Sequence, residues 1–522
     1  MSVEDLTDPL AKFLEETRLR FDPRTAPART TAARRREHPL AGVVREVLGL
    51  GYGERAGSVF TRGRAPLRAR TTPSAGALYP FEVMVALRET DDYRLHRYDI
   101  AAGCLDVLGR VTPGDVEALL DGPVRNGHVE DAPPRTSGRP LPQVVMAVVG
   151  RPWLSMRKYG LRGYFYTLLD GGHAATNLTL AASAAGLLPT VRLRFDRRRA
   201  AIALGLDGRA REPLVLITCE VPADGTPARR RAEVSGATAV PVLREAAPAA
   251  SQEEPPQTEE REAWQTLAPV RAYDRGVVWS PRHGKVRPVA AAENRPGRER
   301  LPLPSLPDVA LGSAGEFGRA AVSRTSAKGF LPRPVTRTVL AGVLSGLRQE
   351  LTGDHADGPA PRLRVLARDI AGVPSGTHTY DPVTHELCHV DTRLPSAEEV
   401  LAACQNQEVV RHAAALLVLH TPLRDLLGPH GHQALAEVHF RAASAAQRIC
   451  LGAALLDAGV TCLGGFDSTR IGWLTGLDGH GRPSGREEVV YVLALGVSDP
   501  TAVKWDRAPV AYSHGIGDPD ND

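Results

Sequence analysis

The strongest constraint on this chain is that it is written twice. Phe195-Asp196 and Leu206-Asp207-Gly208 return as Phe466-Asp467 and Leu477-Asp478-Gly479, and both anchors are displaced by 271 residues (466 less 195, 477 less 206). The apolar run VVMAVVG at 144–150 is echoed by AALLVLHTP at 414–422, and YRLHRYDIAAGCLDVL by THTYDPVTHELCHVD at 377–391. The small-residue stretch DGGHAATNLTLAASAAGLL at 170–188 returns as FRAASAAQRICLGAALLDAG at 440–459, and PLVLITCEV, ending at Val221, as EEVVYVLALGV at 487–497. A chain of 522 residues exceeds what one core serves. A repeat this long therefore predicts two copies of one domain. Each half reads helix, strands, long helix, strand: an α+β layered fold, not a doubly wound sheet. The continuous run at 144–150 predicts a strand buried on both faces. The Ala- and Gly-rich helix predicts a surface that another backbone can approach closely.

Between the copies, residues 222–262 are rich in Pro, Ala and Glu and keep no apolar periodicity, which reads as linker. The expected boundaries are an Arg-rich arm at 1–37, a first domain at 38–221, a partly disordered linker at 222–300, a second domain at 301–512 and a tail at 513–522. Net charge is +4 and basic residues are not interleaved with aromatics, so nucleic acid is not an expected partner. The N-terminus has no apolar signal run, and no stretch is long enough to span a bilayer. Six cysteines form no CxxC pair or zinc spacing, which fits thiols of a reducing cytoplasm and predicts no metal.

Of 64 Lys+Arg, five are lysines: Lys12, Lys158, Lys285, Lys328 and Lys504. A chain that writes Arg almost everywhere writes Lys158 beside Tyr159. Lys trades protons more readily than Arg when its surroundings change, and a Tyr hydroxyl donates or accepts. The dipeptide alone fits a solvated turn; the remainder of the chain argues for chemistry. The two copies differ in a complementary way. The first half holds Pro73-Ser74-Ala75-Gly76-Ala77-Leu78-Tyr79-Pro80, with no counterpart in the second. The second holds Arg324-Thr325-Ser326 and Cys462-Leu463-Gly464-Gly465-Phe466-Asp467, while the first writes Leu193-Arg194 at the glycine pair. Lys158-Tyr159 aligns near Gly431-His432.

PSAGALYP, KYGLRGYFYTLLDGGHAATNLTLAA, GGFD and the closing ALGV resemble the nitroreductase-type flavin proteins. More closely they resemble the SagB-type, McbC-like azoline dehydrogenases of thiazole/oxazole-modified peptide biosynthesis. The resemblance implies two tandem nitroreductase-like domains forming an intrachain pseudo-dimer around one FMN. It implies that Arg324, Thr325 and Ser326 hold the phosphate, with Lys504 and Arg507 as further candidates. Gly464 and Gly465 would let the backbone approach the ring, and Ser74, Ala75 and Gly76 would close over it from the other half. Lys158 and Tyr159 would be catalytic, and the mirror-image site would stay empty. His173 is expected to be a structural hydrogen-bonder, with Tyr164 and Arg162 packing or pairing beside the site. The implied activity is oxidation of thiazolines or oxazolines in a ribosomally made peptide, with a cyclodehydratase as partner. Two alternatives remain: an NAD(P)H-dependent flavin reductase or oxidase of a small molecule, and a non-catalytic peptide- or cyclodehydratase-binding copy.

Overall fold

The computed structural model describes residues 38–59, 67–120, 141–206, 211–222, 244–245, 281–292, 299–306, 314–477 and 487–502. The arm at 1–37, nearly all of the 222–262 stretch, Asp207-Gly208, Asp478-Gly479, Lys504, Arg507 and the tail lie outside the described residues.

The first half runs α1 (Ala41–Tyr52), β1 (Glu54–Val59), β2 (Leu67–Arg70), β3 (Phe81–Arg88), β4 (Tyr93–Asp99), β5 (Cys104–Val111) and α2 (Pro113–Leu120). It continues with β6 (Val144–Gly150), α3 (Pro152–Tyr159), α4 (Arg162–Ala184), β7 (Leu188–Arg192), α5 (Arg197–Ala203) and β8 (Glu212–Glu220). The stretch read as linker contributes three short strands, β9 (Arg244–Glu245), β10 (Gly284–Val286) and β11 (Arg300–Pro302). The second half runs α6 (Ala314–Ser323), β12 (Phe330–Leu331), β13 (Val335–Thr336), α7 (Arg337–Ser345), β14 (Leu351–Gly353), β15 (Arg362–Ala367), β16 (Ile370–Ala371), β17 (Gly376–Asp381) and β18 (Glu386–Asp391). It closes with α8 (Ala397–Ala403), β19 (Ala415–Thr421), α9 (Leu423–Leu455), β20 (Gly459–Leu463), α10 (Ser468–Leu474) and β21 (Glu488–Ser498). The repeat holds residue by residue. β6 and β19, β7 and β20, and α5 and α10 each start and finish 271 positions apart (415 less 144, 459 less 188, 468 less 197).

One sheet follows the order β10-β14-β7-β8-β6-β3-β4-β5-β9, the other β11-β18-β17-β15-β19-β21-β12 with β20 also on β21. The central pairings are antiparallel, as in β3–β6–β8 and β15–β19–β21. β14 leaves its own half and lies parallel to β7 at Gly353 and Val191.

The buried runs explain the layering. A strand sends successive side chains to opposite faces. Val144, Met146 and Val148 of β6 enter a central core, while Val145, Ala147 and Val149 face an outer one with α2 and α5. In β19, Ala415, Leu417 and Leu419 enter the same central core, and Leu416 and Val418 an outer one with α8 and α10. The central core belongs to both halves, because α4 packs on α9 there. α4 starts at Arg162, eight residues before the Ala- and Gly-rich stretch that betrays it in the sequence (170 less 162). Its buried residues leave almost no solvent face.

At the crossing, a Cβ on Gly172 would come within 2.7 Å of the Ala443 Cβ and 3.2 Å of the Phe440 Cα. Gly172 and Ala443 are themselves repeat partners (443 less 172 is 271), so this contact marks the local two-fold between the halves. Gly172→Leu should therefore wedge the helices apart and cost at least about 1–3 kcal/mol, the range of core overpacking. Gly42→Ala on α1, with open space at its Cβ, should be neutral or stabilise by about 0.5–1 kcal/mol. Urea midpoints of the two variants separate the outcomes; equal midpoints would refute the wedge.

Candidate active site

α3 starts with Pro152 at its first turn, where the missing N–H costs nothing. It ends at Gly160, whose φ of 57° and ψ of −145° favour glycine. Lys158 and Tyr159 occupy the last turn, Lys158 exposed and Tyr159 buried. Gly431 repeats the conformation of Gly160, with φ 56° and ψ −149°, and lies 271 residues on. The alignment of Lys158-Tyr159 near Gly431-His432 is thereby corrected to the two residues before Gly431.

The Pro-Ser loop is anchored to the opposite helix by a buried carboxylate. Ser74 Oγ donates to Asp170 Oδ2 at 2.6 Å, and the Ala75 N–H donates to both Asp170 oxygens at 3.2 and 3.3 Å. Ser74 Oγ also accepts from the Tyr79 N–H at 2.8 Å. Gly76, Ala77 and Tyr79 all have positive φ, at 60°, 56° and 47°. For the two non-glycines this costs on the order of 1–3 kcal/mol each. The Arg70 N–H donates to the Tyr79 hydroxyl at 3.1 Å, and the Arg70 guanidinium lies 4.0 Å over the Tyr79 ring. Against Gly76 stand the two predicted catalytic groups. A Cβ there would be 3.0 Å from Lys158 Nζ and in collision with the Tyr159 hydroxyl.

From Tyr159 the site continues into the second half. Its ring meets the Tyr166 ring edge-on, centroids 4.9 Å apart. Tyr166 OH donates to the Gly464 carbonyl at 2.6 Å, and Arg162 Nε to the same oxygen at 3.2 Å. A Cβ on Gly464 would lie 3.0 Å from the Tyr166 ring. Gln407 Nε2 holds the Gly465 carbonyl at 2.6 Å, and Arg162 lies 4.5 Å over the Phe466 ring.

Arg324 closes the circle. Its Nε donates to the Thr71 carbonyl at 3.0 Å and its Nη2 to the Arg70 carbonyl at 3.2 Å, just before Pro73-Ser74. The Ala327 N–H donates to Val460 O at 3.0 Å, setting this loop on β20, the strand that runs on to Gly464. Thr325 is exposed and Ser326 half-buried. The structure thus brings together Ser74, Ala75, Gly76, Lys158, Tyr159, Arg324, Gly464 and Gly465.

Four contributors carry no signal of their own in the sequence. Asp170 and Tyr166 sit inside the quoted string without being singled out. Arg55 is one Arg among many; its Nε donates to Val322 O at 2.7 Å, and burial and the nearby Arg324 charge lower its pKa. Arg70 is the fourth. His173 is a structural bonder, within 2.9 Å of Gln447 Oε1 and 3.1 Å of the Tyr491 hydroxyl. Tyr164 turns away to Glu212 at 3.4 Å.

Arg324 Nη1 is buried with no partner among the described residues, as are Thr71 Oγ1 and Thr72 Oγ1. Other buried polar atoms among the described residues also lack a protein partner, but these three lie together just before Pro73-Ser74, where a ligand could meet them. An anionic cofactor fits these donors, since guanidinium and hydroxyl groups are what a phosphate needs.

No family model and no curated protein matches the chain. Among solved structures, one from Anabaena variabilis named as a nitroreductase overlaps 88% of this chain and 88% of its own, with TM-score 0.64 and 19% identity. That coverage cannot fit within one half. The chain has the nitroreductase fold. It carries that fold as two tandem domains. The E. coli microcin synthetase McbBCD complex with truncated pro-MccB17 bound covers 40% of this chain and 81% of its own, at 19% identity and TM-score 0.27. A Ralstonia eutropha structure, also named as a nitroreductase, covers 42% and 97%, at 18% identity and TM-score 0.27.

Within this tandem nitroreductase fold the mirror-image position is filled by side chains. Arg194, standing where the second half has Gly465, donates Nε and Nη2 to the Glu437 carboxylate at 2.7 and 3.1 Å and Nη1 to Asp357 at 2.6 Å. Asp354 accepts the Leu193 and Arg194 N–H groups at 2.9 and 3.1 Å. Gln433 donates to the Leu193 carbonyl at 3.1 Å, as its repeat partner Arg162 does to Gly464. Glu437 is the repeat partner of Tyr166 (437 less 166 is 271).

Arg194→Ala would leave Glu437 buried without its counter-charge and should cost about 3–5 kcal/mol. The double variant R194M/E437L should cost clearly less, read from urea midpoints; equal costs would overturn the plug.

Burial pushes the Asp170 carboxyl up to about 7, against the opposing pull of Ser74 and Ala75. The folded chain then keeps a proton that the unfolded chain releases near 3.8. The contribution of Asp170 to stability is fully present below that value and is lost as pH rises to about 7. Asp170→Asn should flatten the stability–pH curve across that window, and an unchanged slope would contradict the assignment.

Proposed function

We propose that this chain is an FMN-dependent dehydrogenase that oxidises thiazolines or oxazolines in a ribosomally made peptide to thiazoles or oxazoles. The observation that carries the reading is Gly76, with Lys158 Nζ and the Tyr159 hydroxyl both against it. In the proposal these two groups, in the last turn of α3, form a proton-moving pair against the Pro-Ser loop. In the proposal Arg324 and Ser326 hold the phosphate, with Thr325 in the same loop and Arg55 adding a second guanidinium. Lys504 and Arg507 are further candidates for the phosphate. Ser74, Ala75 and Gly76 cover the ring from one half, and Gly464 and Gly465 support it from the other. The two halves act as a pseudo-dimer with one working site.

Bound FMN would supply the two-electron acceptor. Tyr159 Oη or Lys158 Nζ takes the proton from the azoline Cα, and the other member of the pair tunes it. Tyr166 fixes the Gly464 carbonyl by its hydrogen bond and buttresses Tyr159 with its ring. Asp170 keeps the Pro-Ser loop closed. A cyclodehydratase is the proposed partner that supplies the azoline, and a reducing cytoplasm suits six cysteines without a disulfide. No helix among the described residues is long and apolar enough to cross a membrane.

A second reading, an NAD(P)H-dependent reductase of a small molecule, draws on the full-length likeness to a structure named as a nitroreductase. Azoline peptide and a nitroaromatic with NAD(P)H, offered to the same purified protein, separate the two. Loss of two hydrogens per ring by mass spectrometry is the expected result. Lys158→Ala and Tyr159→Phe should each lower that rate by about 10²–10⁴ while retaining one flavin per chain by absorbance. Arg324→Ala should lose the flavin itself. Full activity in both Lys158 and Tyr159 variants would remove the mechanism.

A further inference from the structure

Cys450 on α9 and Cys462 on β20 bring their sulfurs to 3.7 Å without a disulfide. Their setting differs from that of Cys219 and Cys404, thiols that burial pushes up to about 12. The hydrogen bond with Cys462, and then the Arg324 charge, hold Cys450 below the ordinary thiol range. The same bond, with burial, raises Cys462. The two sulfurs are therefore in contact, so that a thiolate formed on Cys450 would have its resolving partner beside it. Cys462 is half-buried and lies two residues before Gly464, on the strand that enters the candidate site.

The repeat supplies a control. The partners of Cys450 and Cys462 in the first half are Thr179 and Val191 (450 less 179 and 462 less 191 are both 271). The fold fills these two places without sulfur on the plugged side. Paired thiols occur on the side that keeps Gly464 and Gly465.

We propose that Cys450 and Cys462 form a redox dithiol that hydrogen peroxide converts to a disulfide. The Cys450 thiolate attacks one peroxide oxygen, the O–O bond breaks, and the departing oxygen leaves as water after taking a proton. Cys450 is then a sulfenic acid. The Cys462 sulfur attacks the Cys450 sulfur, the S–O bond breaks, a second water leaves and the S–S bond forms. Two thiols give up two electrons, and the peroxide takes them. Closure requires the sulfurs to approach from 3.7 Å to about 2.05 Å, a movement within reach of side-chain rotation. The resulting bond ties the end of α9 to β20 beside Gly464. The proposal does not depend on the flavin reading.

The test uses the purified full-length chain and added hydrogen peroxide in small molar excess. Remaining thiols are then blocked with N-ethylmaleimide in denaturant and the digest is mapped by mass spectrometry. Two of the six cysteines should become unreactive together and appear as a cross-linked 450–462 peptide that dithiothreitol releases. Cys462→Ser should give no cross-link and leave Cys450 as a sulfenic acid trapped by dimedone. Should that variant fail to fold by circular dichroism, the wild-type cross-link map decides alone. Both thiols still alkylated after a peroxide dose that oxidises a free cysteine peptide would overturn the proposal. So would oxidation spread evenly over all six.

Discussion

The contact on which the site depends is the crossing of α4 and α9 at Gly172 and Ala443. Four of the side chains that reach across between the halves leave from these two helices, while Arg324 and Arg55 add further ties from outside them. Tyr166, Arg162 and Asp170 project from α4 to Gly464 and to the Pro-Ser loop. Gln433 and Glu437 project from α9 to Leu193 and Arg194. A larger residue at the crossing would separate the helices and lengthen the bonds that pass from one half to the other. The absence of a Cβ at position 172 is thus a requirement of distance, set by the reach of side chains that must touch the other half. The crossing strand β14 adds a second tie, since it extends the sheet of the first half with backbone from the second.

Much of the architecture was legible in the chain because it rests on local pattern. Alternation set β4, and continuous apolar runs set β6 and β19. The 271-residue displacement that appears in two short motifs extends through four strands and two helices without an insertion. Gly464 was legible as a place of close approach, although the group its Cβ would meet is Tyr166; the packing of Lys158 and Tyr159 against Gly76 was not legible. Asp170, Tyr166 and Arg194 were not legible either, for a common physical reason. Asp170 and Tyr166 act on backbone groups far away in sequence, and a backbone carbonyl or N–H leaves no trace in residue type. Arg194 was noticed as bulky and charged, but its three carboxylate partners belong to one loop and one helix that only folding brings to it. Arg55 was hidden by composition: in a chain rich in Arg, one more is not a signal. The short strands β10 and β11 were missed because edge pairing of three residues needs no periodicity.

Fusing two copies changes what each may discard. In two separate chains, a substitution at Gly465 would alter both sites equally. Within one chain, Arg194 can occupy one position while Gly465 keeps the other. The exchange on the facing helix is matched in chemistry: Tyr166, which donates to a glycine carbonyl, stands opposite in the repeat to Glu437, which accepts from a guanidinium. A neutral, hydrogen-bonded cradle on one side has become a buried ion pair on the other. A buried ion pair is stable when its donors are met, and all three Arg194 nitrogens that can donate have carboxylate acceptors.

Both sides leave buried polar atoms without partners among the described residues, such as His355 Nε2 and Arg441 Nε beside the Arg194 plug. At the cradle the chain tolerates a carboxyl raised by burial at Asp170, positive φ at Ala77 and Tyr79, and partnerless donors on Arg324, Thr71 and Thr72. Each of these lowers stability, and none is required by the fold, because the first half closes the equivalent position with Arg194. Local rules broken together in one place, beside an intact copy of the same fold in which the cradle is filled, are what a binding site imposes on a chain. Strain and unmet donors coincide with the Lys158-Tyr159 pair and with the dithiol on the strand leading to Gly464. The strained loop and the partnerless donors of Arg324, Thr71 and Thr72 lie on the side to which the proposal assigns chemistry.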